Sequence, residues 1–481
     1  MSNTKQRKVR LPNFFEALLP ILVMMGLMIY GLNFSNGVYY DAHMPLVVSI
    51  VVACIIGCIC GHSFSDMLAG MIERLNATME AILILCTVGL LVASFIMSGT
   101  IPALIYYGLD LLTPKLFLPI GCILCAIVGL ACGSSWTATA TIGIAMLGIG
   151  AGLGINPAIT AGMIISGAYV GDKFSPLSDT TNLAAAVSKT GLFDHVTAMV
   201  STTAPTFVIA LILYTILGMV TGSGNYDPTV ATELQAALKE GFNLNPLVLL
   251  PILVVIAACI IKLPGLVGIA LSVASGVLFA VIFQGVGSLA ELFSILHYGY
   301  SFETTNELAN ELLNRGGITS MLDIAALVIF ACGLGGMLRH IGIIDVVLEP
   351  VARRATSGLS LVLATLFIGY GTLMLTAAAY FSIVMNGTVM APLFRKRGYR
   401  PENCSRVVED AGTLGGPLVP WASNALFPMS MLSVSYMDYA PWAFVLYLTP
   451  LMSILYAAFN INMTRLTPEE MAEENKEFVA E

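Results

Sequence analysis

The chain has 481 residues, 57% of them hydrophobic and only 10% charged, with a formal net charge of −8. An ordinary soluble domain carries about 25% charged residues, so soluble enzymes, secreted disulfide scaffolds and nucleic-acid binders are excluded. About ten apolar runs of spanning length place most of the chain in hydrocarbon, where only helices or closed barrels satisfy the backbone.

The chain opens on a basic stretch from Lys5 to Arg10 before an apolar run at Phe14–Asn33. That run is too long for a signal-peptide core and no small-residue cleavage site follows, so it reads as a retained first span. Further spans are expected at His43–Gly61, Thr78–Ser98, Pro157–Val187 with an interruption, Val196–Thr221, Pro246–Lys262, Leu266–Phe283, Met321–Leu338, Pro401–Val434 with an interruption, and Ala440–Asn460. The segments 115–150 and 358–394 each break near the middle, at Gly133-Ser134-Ser135-Trp136-Thr137 and at Gly371-Thr372 through Thr376. Both read as re-entrant hairpins, which a membrane tolerates only where the broken backbone is buried in protein or lines a wet cavity. Cysteines such as Cys58, Cys60, Cys122 and Cys125 lie within apolar runs without a second ligand pair at zinc spacing, and read as small buried hydrophobes.

With the N-terminus inside, this arrangement puts Arg74, Lys189, Lys262, Arg339, Arg353, Arg354, Arg395–Arg400 and Arg465 on the cytoplasmic side, as the positive-inside rule requires. Lys115, Lys239 and Arg315 fall outside, and the external loops Gly222–Asn243 and Gly285–Gly317 are acidic. The halves 1–240 and 241–481 match at an offset of roughly half the chain, each contributing five spans, one hairpin and one broken helix (157–190 and 401–434), with an acidic C-terminal tail after the second. An odd span count forces the second copy to face the other way. The expected fold is an all-α polytopic membrane protein built as an inverted repeat.

The chemistry concentrates at Asp172, Lys173, Ser175, Pro176, Ser178, Asp179, Thr180, Thr181 and Asn182, between apolar helices. Pro176 removes a backbone donor and breaks the helix, exposing carbonyls suited to a cation at one end and N–H groups suited to an anion at the other. The matching stretch holds Glu409, Asp410, Thr413, Pro417, Ser423 and Asn424. Ser134, Ser135 and Thr137 on the first hairpin tip and Thr376 on the second add hydroxyl ligands. Intramembrane acids cost several kcal/mol unless paired, protonated or metal-bound, so Asp172, Asp179 and Asp410 are the sodium candidates and Glu409 and Asp410 the exchange candidates. Arg406 is the expected structural partner of Glu409, which leaves Asp410 as the proton carrier. His43, His62, His195, His297 and His340 fall near span ends, where a solvated imidazole is expected.

At these residues the sequence resembles the NhaC family of bacterial sodium/proton antiporters, which includes malate/lactate exchangers. The likeness covers nearly the whole chain and is strongest at Gly133–Gly154, Ser166–Leu183 and Asn403–Trp421. The resemblance implies an ion-transporter fold in which two hairpin tips meet two broken helices. The second half departs from the family pattern at Ala378-Ala379 and Gly415-Gly416, which removes oxygen ligands there.

The expected function is sodium/proton antiport across a bacterial inner membrane, with both termini cytoplasmic, a homodimer as the assembly, and sodium ion and proton as coupling ions without any cofactor. The alternative is a sodium- or proton-coupled exchanger or symporter of a small organic anion, such as malate or lactate, or of an amino acid. A channel is disfavoured by the paired broken helices. A membrane hydrolase is disfavoured because no His-Glu-x-x-His or Gly-x-Ser-x-Gly pattern appears.

Overall fold

The computed structural model describes residues 9–33, 43–221, 228–261 and 263–471. Lys5, Arg7, Lys8, Asp227, Lys262 and most of the acidic tail lie outside the described residues. Among those described every regular element is helical, as the apolar composition demands of a chain in hydrocarbon.

The first half runs through α1 (Phe14–Asn33), α2 (His43–Cys60), α3 (Phe64–Met97), α4 (Thr100–Leu111) and α5 (Pro114–Cys132). A break follows, then α6 (Ser135–Ala138), a π-helical turn (Thr139–Gly143) and α7 (Ile144–Gly152). The interrupted helix α8 (Pro157–Phe174) and α9 (Asp179–Val187) leads into α10 (Leu192–Thr221). α11 (Pro228–Gly241) and α12 (Leu250–Ile260) carry the chain to the second half, bent by 97° between them.

That half comprises α13 (Gly265–Gln284), α14 (Leu289–Tyr298), α15 (Glu307–Leu313), α16 (Thr319–Ile341), α17 (Ile343–Arg353), α18 (Gly358–Thr376) and α19 (Ala379–Lys396). α20 (Pro401–Gly412) and α21 (Ser423–Leu432) form the second interrupted helix, followed by α22 (Tyr436–Tyr439) and α23 (Phe444–Ala458).

Among the described residues, seven helices are long and apolar enough to cross a bilayer, or up to nine if each bent pair counts as one span. The two interrupted helices are not among them, because their breaks concentrate polar residues. The hairpin arms α5 and α18 do qualify by length.

α3 differs most from its expected bounds. It starts well before Thr78, because Ser63 Oγ accepts the Asp66 N–H while the Asp66 carboxylate accepts the Ser63 N–H, a reciprocal cap. At 34 residues it is about 50 Å long, and Arg74 lies on this helix instead of in a loop.

Close approaches fix the helix directions. In α3 and α16, Gly89 lies against Gly317 and Met321 while Gly70 lies against His340, so the two run antiparallel. α5 and α8 run parallel, with Gly121 against Met163, Gly129 against Ala168 and Gly171 against Ala126 and Leu130. Such small residues bring membrane helices into backbone contact. Gly150, near the end of α7, returns to Phe117 at the start of α5, so this segment enters and leaves at one end. α18 and α19 also pair antiparallel, Ser382 Oγ donating to the Gly369 carbonyl at 2.7 Å and Asn386 Nδ2 to that of Thr365 at 2.8 Å.

The same backbone events recur about 240 residues apart. Left-handed residues precede α4 and α17 at Gly99 and Gly342, and end α5 and α18 at Gly133 and Ala377. Outward faces of α10 (Val208, Ile212, Ile216) and α13 (Leu271, Leu278, Ile282) are apolar and exposed, as lipid contact requires.

Candidate functional site

The hairpin tips and the helix breaks meet in the interior. At the first tip Gly133 turns the chain with φ +61°, and a Cβ there would sit 2.8 Å from the Leu177 carbonyl carbon, so this glycine lets the tip touch the break. Ser134 Oγ caps the following turn by accepting the Thr137 N–H at 3.3 Å. Ser135 then donates its N–H (3.0 Å) and its hydroxyl (2.8 Å) to Asp172 Oδ2.

The break itself is tied down on both sides. Ser175 Oγ donates to the Leu130 carbonyl at 2.8 Å, and Asn182 Nδ2 donates to the carbonyls of Pro176 (2.9 Å) and Ser178 (2.6 Å). Those carbonyls are therefore not free for a cation. Ser178 and Thr180 hydroxyls lie 3.0 Å apart. Asp179, on the exposed side of the break, accepts from its neighbour Thr180 N–H at 2.8 Å and from the Tyr380 hydroxyl of the second tip.

At the second break Ser423 N–H donates to the Ala377 carbonyl at 3.0 Å and Trp421 Nε1 to that of Met374 at 2.9 Å. The Ser423 hydroxyl turns to Asn424 Oδ1, 3.3 Å away, and Thr376 donates to Thr372 on its own helix at 2.8 Å. The halves join where Trp136 stacks on Phe427, ring centroids 4.5 Å apart, and where Tyr169 donates to the Asn424 carbonyl at 2.9 Å.

Glu409 and Asp410 of α20 are fully buried and each meets a base from the first half. Lys173 Nζ donates to Asp410 Oδ1, and Ser453 Oγ of α23 to Oδ2 at 2.5 Å. His195 Nε2 lies 2.9 Å from Glu409 Oε2, with its Nδ1 2.7 Å from Ser405 Oγ. Thr180, Thr181 and Thr413 donate to Glu409 Oε1 at 3.3, 3.2 and 3.2 Å.

Three sequence expectations change here. His195 is buried, at 0% exposure, instead of solvated. Arg406 does not serve Glu409, because its guanidinium turns to Ser201 Oγ and the Asn462 carbonyl. Asp410 is held by a buried ammonium and so is not the free acid of the second half. His195 was missed as a site residue, and Lys173, placed in the first break by the sequence, crosses to Asp410 instead of serving its own cluster. A signal existed for His195, since it begins a buried stripe with Met199, Thr202 and Thr206 on α10.

Asp172 is the exception among the buried acids. It is 5% exposed, its Oδ2 is filled by Ser135, and its Oδ1 is buried with no hydrogen-bond partner. No basic group forms an ion pair with it among the described residues. One oxygen of a buried carboxylate therefore makes no hydrogen bond within normal distance and has the Ser178 hydroxyl near it, which is oxygen chemistry a hard cation accepts.

Comparison with known proteins gives the family. A family model described as the Na+/H+ antiporter family matches residues 167–461, which contain both breaks and the α20 acids. The chain is 37% identical to the Na(+)/H(+) antiporter NhaC of Alkalihalophilus pseudofirmus, over 93% of this chain and 96% of that one. It is 35% identical to the malate-2H(+)/Na(+)-lactate antiporter of Bacillus subtilis, over 94% and 95% of the two chains. It is also 35% identical to the arginine/ornithine antiporter ArcD of Halobacterium salinarum, over 98% and 96%. With the match running through both helix breaks and nearly end to end, the chain belongs to the Na+/H+ antiporter family.

Proposed function

We propose that the chain is a secondary transporter of the bacterial cytoplasmic membrane, with both termini cytoplasmic, that exchanges sodium for protons. The observation that carries this reading is the orphaned Oδ1 of Asp172. Lys173 neutralises Asp410 and His195 faces Glu409, whereas Asp172 lacks a basic partner. A buried carboxylate without one holds either a proton or a cation, because bare charge in hydrocarbon costs several kcal/mol. Sodium and proton then compete for one oxygen, and that competition couples their movements. Protonating Asp410 instead would strand a buried ammonium, so the exchanging acid moves from Asp410 to Asp172, with Asp179 and the Ser178 and Ser135 hydroxyls as its polar surroundings.

The antiparallel α3 and α16, the parallel pair α5/α8, the parallel α18/α20 (Gly358 against Tyr399, Gly369 against Ala411), and the matched left-handed residues support an inverted repeat of five spans and one hairpin per half. Such a repeat lets the site open to either side. A small organic substrate is a second reading, supported by the 35% identity to the malate-2H(+)/Na(+)-lactate antiporter and to the arginine/ornithine antiporter. Proteoliposomes holding a pH gradient test the main reading. Added sodium should collapse the gradient with wild-type protein and leave it standing with Asp172→Asn. No sodium response in the wild type overturns the function, and an undiminished one in the variant overturns the residue.

A further inference from the structure

The tip of the second hairpin rests on the antiparallel pair α3/α16. α16 offers no side chain at Gly335 or Gly336, where a Cβ would lie 2.8 Å from the Thr376 Cα and 2.7 Å from the Arg74 Cβ respectively. The tip and Arg74 therefore reach one stretch of α16 from two sides. Just past the tip, Phe381 is buried, and its ring centre lies 4.8 Å from the Arg74 guanidinium carbon and 5.1 Å from that of Arg339. A single ring of the hairpin thus meets two like charges, one from each helix of the pair.

An aromatic face attracts a guanidinium, more strongly where water is excluded, so this contact holds the hairpin against α3 and α16. Two effects oppose it. Arg339 repels Arg74, and Nε and Nη2 of Arg74 are buried with no hydrogen-bond partner, a cost that water would relieve if the ring withdrew. Attraction and penalty are of the same order, as a contact that breaks and reforms in every cycle requires. The residue before Phe381 ties the ring to the ion site, because the Tyr380 hydroxyl donates to Asp179 of the first break. A shift of α19 that frees Phe381 also loosens that bond.

Resting on the transport reading above, we propose that Arg74, Arg339 and Phe381 form a latch that holds the second hairpin closed. Its release opens the site toward the end of the molecule where α3 begins, the cytoplasmic side in that reading. Phe381 is a positioning residue, which touches neither ion and acts through the hairpin that carries it.

Hydrogen–deuterium exchange of the purified full-length protein reads the latch, since it reports local opening. Phe381→Leu keeps an apolar side chain but loses the ring face, and should speed exchange at residues 377–385 by about tenfold. Phe381→Tyr, which keeps the ring, should exchange like the wild type. Arg339→Gln, at an exposed side chain, should speed exchange there less, and should add nothing on top of Phe381→Leu, because one interaction cannot be lost twice. It decides alone should Phe381→Leu not fold. In proteoliposomes, the apparent KM for sodium offered at the cytoplasmic side should fall by about threefold or more in Phe381→Leu, because a larger fraction of molecules is open to that side. Lost packing alone would not tighten it. Unchanged exchange at 377–385 in Phe381→Leu or Arg339→Gln overturns the latch, and so does acceleration spread evenly over the chain, or an unchanged or raised KM. A wild type without sodium–proton exchange overturns the transport reading instead, while the deuterium measurements still judge the latch.

Discussion

Lys173 and Asp172 are neighbours in sequence, yet the ammonium crosses to Asp410 and the carboxylate turns to the first hairpin tip. The helix sends successive side chains in different directions, so adjacency in sequence does not make an ion pair. Removing one member of a buried pair leaves an uncompensated charge, at a cost of about 3–5 kcal/mol. Lys173→Met should therefore lower the melting temperature sharply, and Lys173→Met with Asp410→Leu should recover part of the loss. Equal melting of wild type and the single variant in detergent would show that the pair contributes nothing. The His195–Glu409 contact at 2.9 Å follows the same logic.

At the scale of elements, the hairpin tips do different work with the same backbone. Both turn through a left-handed residue, Gly133 at φ +61° and Ala377 at φ +54°. For a residue with a Cβ that conformation costs about 1–2 kcal/mol. Gly133→Ala adds a clash with the backbone of Leu177 and Ser178, and should lower both the melting temperature and sodium-driven proton movement. Ala377→Gly should be tolerated in both measurements.

These breaks were legible from the sequence, because Pro176, Pro417 and the polar clusters interrupt long apolar runs. The length of α3 was not, since Asp66, Glu73 and Arg74 look like loop residues until the Ser63 cap and the packing against α16 are seen. The partners of Glu409 and Asp410 were equally hidden. Their basic partners, Lys173 and His195, come from helices in the other half, and one chain's residue pattern carries no record of which distant helices touch.

For the molecule as a whole, an inverted arrangement makes a topological demand. Arg353–Arg354 and Arg395–Arg400 flank the paired helices α18 and α19 and should share the cytoplasmic face. Single cysteines placed at Thr356 and Gly398 should both label from inside only, and labelling from opposite sides would reject the second hairpin.

Competition between ions for one buried carboxylate links the residue to the whole transport cycle, and purified protein lets it be read directly. Sodium affinity measured across a range of pH should weaken as pH falls in the wild type, because the proton occupies the oxygen that sodium needs. In Asp172→Asn sodium binding should be weak and independent of pH. A variant that retains the wild-type affinity and its pH dependence would place the exchange site elsewhere in the protein.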